Sequence, residues 1–215
     1  MPAFESVQLA GEAMQLHADR ALFWPRKSCL LIADLHLGKG DIFRRAGIAL
    51  PRGGTASDLD RISDLLAATG AQTLLVLGDF LHGAAHAASW RADWSHWRQQ
   101  HARLPISVIV GNHDRALANA GLDVHCVTGT QSMGPFELVH APADAPALHQ
   151  LCGHLHPVIP VPGLPRRWPA FWMRTRQTVL PAFSAFSGGF RVSPDRSETI
   201  AACVQGHVLM MPRRD

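Results

Sequence analysis

The sequence predicts an α/β fold in which an alternating strand–helix first half is followed by a strand-rich second half. Three strand patterns, SCLLIADLH, QTLLVLGDF and ISVIVGNHD, alternate with helical patterns, which is typical of βαβ units. Each of these runs ends in polar residues. Ligands of such sheets bind at the carboxyl ends of the strands, so we expect a functional site there.

The first half begins with short strands that precede the first of these runs. The segments VQLAG, AMQLHA and ALFWP combine apolar residues with turn residues. A helix is predicted to begin near Thr55, because TASD has the spacing of a capping box before an apolar helical face. A second helix is predicted around Trp90, Trp94 and Trp97, whose spacing places them on one face, and we expect that face to be core.

The second half is predicted to be mostly strands joined by turns that contain glycine and proline. Its apolar runs are FELVHA, LCGHLHPV, QTVLPAFSAF and TIAACVQGHVLMMP. The segment PGLPRRWPAFWMRTR is the most basic one, and we expect it to be a loop. No linker or repeat interrupts the chain, so residues 1–215 are predicted to form a single domain.

Composition predicts a globular, cytoplasmic protein. Hydrophobic residues make up 47% of the 215 residues and charged residues 17%, an ordinary balance. No apolar run approaches the roughly 18 residues of a membrane span, and the N-terminus lacks the pattern of a secretory signal. The four cysteines are spread through apolar segments, which predicts reduced core residues. The net charge of +3 permits contact with nucleic acid without requiring it.

Asp34 and His36 stand at the end of the first apolar run, in the stretch IADLHLGKG. Residues two apart on a strand share a face, so both side chains can point at one object. A buried carboxylate beside an imidazole needs its charge compensated, and a cation is the usual compensator. This pair alone leaves a structural alternative open, in which Asp34 bonds to a histidine or caps the next helix.

The same kinds of polar residue follow four further strands. Together the candidates are Asp34, His36, Asp79, Asn112, His113, Asp114, His140, His154 and His156. Oxygen and imidazole donors without thiolate suit Mn, Fe or Zn rather than a structural zinc site. There are enough donors for two divalent ions, and a carboxylate such as Asp79 can bridge ions about 3.5–4 Å apart. Such a pair clamps the attacking and leaving oxygens of a phosphoryl displacement.

His113 is the candidate general acid, or the electrostatic partner of a phosphate. We expect the neighbouring Asp114 to orient its ring. The alternative role for His113 is a further metal ligand or a residue that supports the ligands.

The ordered blocks D-x-H, G-D, G-N-H-D, H and G-H-x-H resemble the signature of the calcineurin-like metallophosphoesterases. The resemblance implies a four-layer αββα sandwich of two mixed β-sheets flanked by helices. It assigns Asp34, His36, Asp79 and His156 to a first metal, and Asp79, Asn112, His140 and His154 to a second. It also implies a dinuclear metal-dependent phosphoesterase in which His113 lies close to the phosphate and the leaving oxygen. We expect Mn²⁺ as the ion, with Fe or Zn as alternatives.

Flanking segments resemble the bacterial ligase-associated DNA damage response endonuclease subfamily. They are RALFWP, DLHLGKGDIFRRAGIALPRG, GDFLHG, GHLHPVI and LPAFSAFSGG. This resemblance implies a nuclease that acts on DNA in repair, with a DNA ligase and a DEAD/DEAH-type helicase as partners. The segment FSAFSGG departs from the subfamily pattern, which has a Gly and a Thr near Ser184 and Ser187.

Two other functions remain open at the level of sequence. A small-molecule phosphatase or nucleotide phosphodiesterase would use the same metals, because the metal ligands recognise the phosphate and not its substituents. A non-catalytic binding module is the other alternative. It would be expected to lack part of the site, whereas this chain keeps every ligand and His113.

Basic residues near the first ligand block are candidates for substrate binding. They are Lys39, Arg44, Arg45 and Arg52. His82 and His86 follow Asp79 closely enough to reach a substrate, with an ordinary role at the start of a helix as the alternative. The basic residues would grip a phosphodiester backbone, with a solvated helix face as the alternative. A second segment combines basic and aromatic residues, and one interpretation is that it binds single-stranded nucleic acid by stacking bases on its aromatic side chains. Its residues are Arg166, Arg167, Trp168, Phe171, Trp172, Arg174 and Arg176. The alternatives for that segment are a loop pinned to the domain and a partner-protein surface.

Overall fold

The computed structural model describes residues 4–82 and 88–212 and contains two mixed β-sheets. The strands of the first sheet lie in chain order: β1 (Phe4–Leu9), β2 (Glu12–His17), β3 (Ala21–Trp24), β4 (Cys29–Ile32), β5 (Thr73–Leu77), β6 (Ile106–Ile109) and β7 (His125–Val127). Strands β1 to β4 are antiparallel neighbours, and β4 to β7 are parallel. The carboxyl ends of β4, β5 and β6 therefore lie side by side.

The second sheet is built from the second half of the chain. Its strands are β8 (Gln131–Met133), β9 (Phe136–Leu138), β10 (His149–Cys152), β11 (Pro157–Pro160), β12 (Arg167–Arg174), β13 (Gln177–Val179), β14 (Phe190–Arg191), β15 (Thr199–Val204) and β16 (His207–Met210). They are ordered β14-β11-β12-β13-β10-β9-β8, with β15 also beside β12 and β16 beside β15. The prediction of an α/β fold with two mixed sheets is confirmed.

Three helices are described, all in the first half: α1 (Lys39–Arg45), α2 (Gly54–Thr69) and α3 (Ala88–Gln100). Trp90, Trp94 and Trp97 of α3 are at most 3% exposed, which confirms that their shared face is core. Helix α2 begins where predicted, but the predicted capping box is wrong. No described side chain caps this helix, because Gly53 occupies the N-cap position, and Thr55 and Asp58 lie within the helix.

The central strands of the first sheet are apolar on both faces because the sheet is covered on both sides. Along β4, Leu30 and Ile32 join a cluster with α2 and α3, whereas Cys29 and Leu31 face the second sheet. The core between the sheets is closed from the other side by Phe136, Leu151 and Phe171, among others. Burial on both faces accounts for the continuous apolar runs in the sequence.

The outer face of the second sheet is not covered by the described helices. Ile159, Trp168, Ala170 and Ile200 form an apolar cluster there, and no residue of the described helices belongs to it. Partly buried side chains from connecting segments, such as Leu164, pack on this cluster. Within the described residues, the helical layer of the predicted αββα sandwich therefore lies on the first sheet.

The basic segment that we expected to be a loop contains the eight-residue strand β12. The expectation is wrong because Trp168, Ala170, Phe171 and Met173 are buried against the two sides of the sheet. Pro169 is tolerated because it lies outside residues 170–173, which pair with β15. Trp168 and Phe171 are 5% and 0% exposed, so neither offers a face for stacking a base.

The four cysteines are free, and all except Cys126 are buried, as the sequence predicts. None of the helices described here has the length and apolar character needed to cross a membrane.

Candidate metal centre

The residues expected to bind metal come together between the two sheets. Asp34 and His36 follow β4, Asp79 follows β5, and the block Gly111–Asp114 follows β6. The second sheet contributes His140 after β9, and His154 and His156 after β10. Parallel neighbours end at the same edge of a sheet, which explains why residues far apart in the chain meet.

Asp34, His36 and His156 form a first group of potential metal ligands. Nε2 of His156 lies 3.4 Å from Nε2 of His36 and 3.5 Å from Oδ1 of Asp34. Nδ1 of His156 lies 3.1 Å from the carbonyl oxygen of Gly188, to which it can donate its proton. In that tautomer the Nε2 lone pair faces the centre of the group.

Asp79, His140 and His154 form a second group. Nε2 of His140 lies 2.9 Å from Oδ1 of Asn112, 3.0 Å from Nδ1 of His154 and 3.6 Å from Oδ1 of Asp79. Nδ1 of His140 lies 3.3 Å from the carbonyl oxygen of Leu77, which again leaves Nε2 for a metal. Asp34 lies between the two groups, because its Oδ1 is 3.9 Å from His140.

The chemistry of these groups fits divalent cations. Asp34 is fully buried, and its Oδ1 accepts no hydrogen bond among the described residues. Burial, followed by the charge of Lys39, lowers the pKa of His36 to about 2, so its imidazole is neutral and can act as a ligand. A buried carboxylate whose Oδ1 lacks a hydrogen bond needs a compensating positive charge, and a metal ion would supply it.

Five of the candidate ligands have a left-handed backbone conformation, which non-glycine residues rarely adopt. Their φ angles are 54° for Asp34, 50° for His36, 46° for Asp79, 68° for His154 and 48° for His156. Such conformations cost free energy and persist only where the surrounding structure enforces them. The sharp bends turn successive side chains toward the same point. No feature of the sequence signals these bends.

A glycine before Asp79 allows the two sheets to approach each other. A Cβ atom at Gly78 would overlap the ring of His140, and the φ of Gly78 is 76°. The G-D block of the sequence thus provides both a ligand and the space for a ligand from the second sheet.

His113 lies beside the first group. Its ring stacks on His82 with centroids 4.9 Å apart and meets the ring of His36 edge-on at 5.5 Å. Its backbone N–H donates a 2.9 Å hydrogen bond to Oδ1 of Asp79. The ring is therefore close to the candidate ligands, as expected.

The carboxylate of Asp114 has different partners from the ring of His113 that we expected. It accepts hydrogen bonds from the backbone N–H groups of Phe80, Leu81 and Gly111, at 3.2, 2.8 and 2.9 Å. Asp114 is 2% exposed, and burial raises the pKa of its carboxyl. It thus connects the segments that follow β5 and β6, because the buried N–H groups of both need an acceptor.

The five residues expected to bind substrate lie in different surroundings. Lys39 is buried, and its Nζ donates to Oγ of Ser187 at 3.2 Å. Arg44 is held by Asp41 and by the carbonyl oxygen of Pro51. Arg45 and Arg52 are exposed. His82 lies next to the centre, with Nδ1 3.3 Å from Nδ1 of His36. His86 lies outside the described residues.

A segment of the second half, residues 182–188, also borders the centre. The N–H of Phe183 donates to the carbonyl oxygen of Ala33, and that of Ser184 to Asp34. Arg20 donates a hydrogen bond to the carbonyl oxygen of Ser184 at 3.0 Å and so holds the segment against the first sheet's side of the site. In the sequence this segment indicated only the subfamily resemblance. Its contact with the residues around Asp34 was not predicted.

Comparisons with known proteins agree with this geometry. The model of the calcineurin-like phosphoesterase family matches residues 28–154, which include six of the seven candidate ligands. The crystal structure of Pseudomonas putida nuclease MPE is similar over 97% of this chain and 100% of that chain, with 34% identity and a TM-score of 0.83. Yfce, a phosphoesterase from E. coli, has a similar fold, with 18% identity over 86% of this chain and 99% of that chain and a TM-score of 0.50. A search of curated proteins gave no significant match.

Proposed function

The chain belongs to the calcineurin-like phosphoesterase family and is a metal-dependent phosphoesterase, and we propose that its substrate is a phosphodiester bond of DNA. The observation that carries the proposal is the meeting of two ligand groups at one point between the sheets. The similarity to a nuclease over nearly the whole of both chains supports nucleic acid as the substrate.

We propose that the ligands divide as the family pattern implies. Asp34, His36, Asp79 and His156 would hold one ion, and Asp79, Asn112, His140 and His154 the other. Two divalent ions would lower the pKa of water and neutralise charge on a phosphate, and Mn²⁺ is our preferred ion, with Fe or Zn as alternatives. The backbone carbonyls of Leu77 and Gly188 would orient the rings of His140 and His156 for this task by accepting hydrogen bonds from them.

The protein residues would contribute orientation and a proton. His113 is positioned by the stack on His82 and by the hydrogen bond of its backbone to Asp79. From there its imidazole would stabilise the phosphate and donate a proton to the leaving oxygen. Lys39 brings a cation to the edge of the centre, where it would attract the negative charge of the substrate.

The cellular role remains part of the proposal. We infer that the protein acts in DNA repair in the cytoplasm together with a DNA ligase and a DEAD/DEAH-type helicase, as the subfamily resemblance implies. The free cysteines support a reducing compartment. Co-purification of the chain with a ligase and a helicase would test the assignment of the partners.

A parallel assay of four substrates tests the proposed reaction. Purified protein with added Mn²⁺ is incubated with single-stranded DNA, duplex DNA, a cyclic nucleotide and p-nitrophenyl phosphate. We expect cleavage of DNA, and no cleavage by the Asp79→Asn variant purified in the same way, which excludes a contaminating nuclease. Hydrolysis of only the cyclic nucleotide or the monoester would reject DNA as the substrate while leaving the phosphoesterase assignment intact.

A further inference from the structure

A cavity of about 340 Å³ opens onto the candidate metal centre. Of the candidate metal ligands, only His36 is among the residues that line it. Its wall includes His36 and Lys39 at the inner end, and Arg52 and Gly54 at the outer end. This volume is within the range of about 300–1,000 Å³ that small-molecule sites span. The cavity therefore has room for a group attached to the phosphate that the centre would bind.

One wall of the cavity is aromatic. Phe186 lies in the segment 182–188 and is half-buried, and its ring packs directly on Gly54 at the start of α2. A Cβ atom at Gly54 would overlap this ring, so the glycine allows the contact. Aromatic faces beside cationic groups are the usual means by which proteins hold an unpaired nucleobase.

Both ends of the cavity can attract an anion. At the inner end, the ammonium group of Lys39 is 3.2 Å from Oγ of Ser187. At the outer end, Arg52 stands beside the first turn of α2, a 16-residue helix that no side chain caps. Among the ion pairs of the described residues, Arg44 is occupied by Asp41, whereas neither Lys39 nor Arg52 is paired with a carboxylate.

Carboxylates also line the cavity. They are Asp41, Asp58 and Asp93; Asp58 is 4% exposed with its Oδ1 3.5 Å from Arg61, and Asp41 is paired with Arg44. Groups of both charges therefore surround the space. This mixture suits a nucleotide unit better than a free phosphate, because only its phosphates need positive charge.

We propose that this cavity holds the nucleotide adjacent to the phosphate that is cleaved, with its base against Phe186 and its outer phosphate at Arg52 and the first turn of α2. The inference rests on the proposed function, because it requires a nucleic-acid substrate at the metal centre. It adds a binding site for the base, which no metal ligand provides.

Removal of the base from the substrate tests this assignment. The substrates are the 3′- and 5′-(p-nitrophenyl phosphate) esters of thymidine and the same esters of abasic deoxyribose. In the ester series that places its nucleoside in the cavity, removal of the base should lower kcat/KM of the native protein by about ten-fold. In Phe186→Ala the same removal should lower it by about two-fold or less, because the stacking partner is gone.

Binding without catalysis provides a second measurement. Titration calorimetry on metal-free protein compares thymidine monophosphate with deoxyribose phosphate, and the preference for the intact nucleotide should disappear in Phe186→Ala. Phe186→Leu keeps an apolar contact with Gly54, and it replaces Phe186→Ala in both measurements if the alanine variant does not fold. Phe190→Ala is the matched control, because Phe190 is 57% exposed and does not line the cavity.

The outcomes separate the two proposals. The nucleotide site would be overturned if removal of the base lowered kcat/KM equally in the native protein and in both Phe186 variants. It would also be overturned if removal of the base had no effect on kcat/KM in either ester series. Absence of hydrolysis of all diesters would instead reject the proposed phosphodiesterase function.

Discussion

Nε2 of His36 lies 3.4 Å from Nε2 of His156, although 120 positions separate the two residues in the chain. His36 comes from the first sheet and His156 from the second, so this contact joins the two halves of the fold at the candidate metal centre. The two imidazoles and the carboxylate of Asp34 form one group of donors that fits a shared cation.

Asp79 is predicted to serve both metal ions. Asp79→Asn removes the charge while keeping the shape, and we expect the metal content to fall from two ions per chain to less than one. The reason is that a bridging ligand contributes to both sites. Elemental analysis of the dialysed protein measures the metal content. Retention of two ions would show that Asp79 does not bridge.

His113→Ala is predicted to separate catalysis from metal binding. We expect the turnover number to fall by roughly 10²–10⁴-fold, the usual contribution of a positioned acid or base, with metal content unchanged. Steady-state kinetics and elemental analysis on the same preparation measure the two quantities. A loss of metal together with activity would instead make His113 a ligand.

Asp114→Ala is predicted to destabilise the protein, because three buried N–H groups lose their acceptor. The cost should be on the order of 3 kcal/mol, since each unsatisfied group costs roughly 1–3 kcal/mol and the structure relaxes. Asp114→Asn keeps one acceptor oxygen and should lose less. Denaturant unfolding of metal-free protein measures both variants. Equal stability of Ala and Asn variants would contradict the connecting role.

His156 offers a test of backbone strain at a ligand. Its φ of 48° favours glycine, so metal-free His156→Gly should be more stable than His156→Ala by about 1 kcal/mol. Both variants remove the same imidazole, and they differ only in the Cβ atom. Guanidinium unfolding curves give the difference. A more stable alanine variant would show that the left-handed conformation carries no strain.

His17 is predicted to make stability depend on pH. Burial lowers the pKa of His17, while Asp19 opposes this shift, and neither ring nitrogen forms a hydrogen bond among the described residues. Below about pH 6.5 the unfolded chain therefore binds a proton that the folded chain excludes. The free energy of unfolding should fall as the pH falls through this range.

His17→Phe removes that titration and is compatible with the contacts of the ring to Phe4 and Phe23. The variant should lose less unfolding free energy than the native protein between pH 7.5 and about 5. Urea titrations at both pH values measure the change, with the exposed His207→Phe as control. Parallel pH dependence in all three proteins would remove His17 as the cause.

Most of the candidate site was predictable because each ligand lies within a few residues of the end of a strand. Asp79 comes two residues after β5 and His140 two residues after β9, so local order along the chain was sufficient to find them. The strand β12 was missed because arginines and a proline such as Pro169 are typical of loops. Its structure is instead decided by pairing with β11, β13 and β15. The partners of Asp114 were missed for a similar reason, since two of them lie more than 30 residues away.

The sequence by itself determined the chemistry of this protein: oxygen and imidazole donors at the ends of apolar strands, with His113 among them. Such a pattern is local, because it needs only the strand period and the residue types. The tertiary structure alone decided the left-handed bends at the ligands, the contact of Asp114 with two connecting segments and the cavity that Phe186 and Gly54 line. These features depend on contacts between distant segments, and their geometry is set by the packing of one sheet against the other.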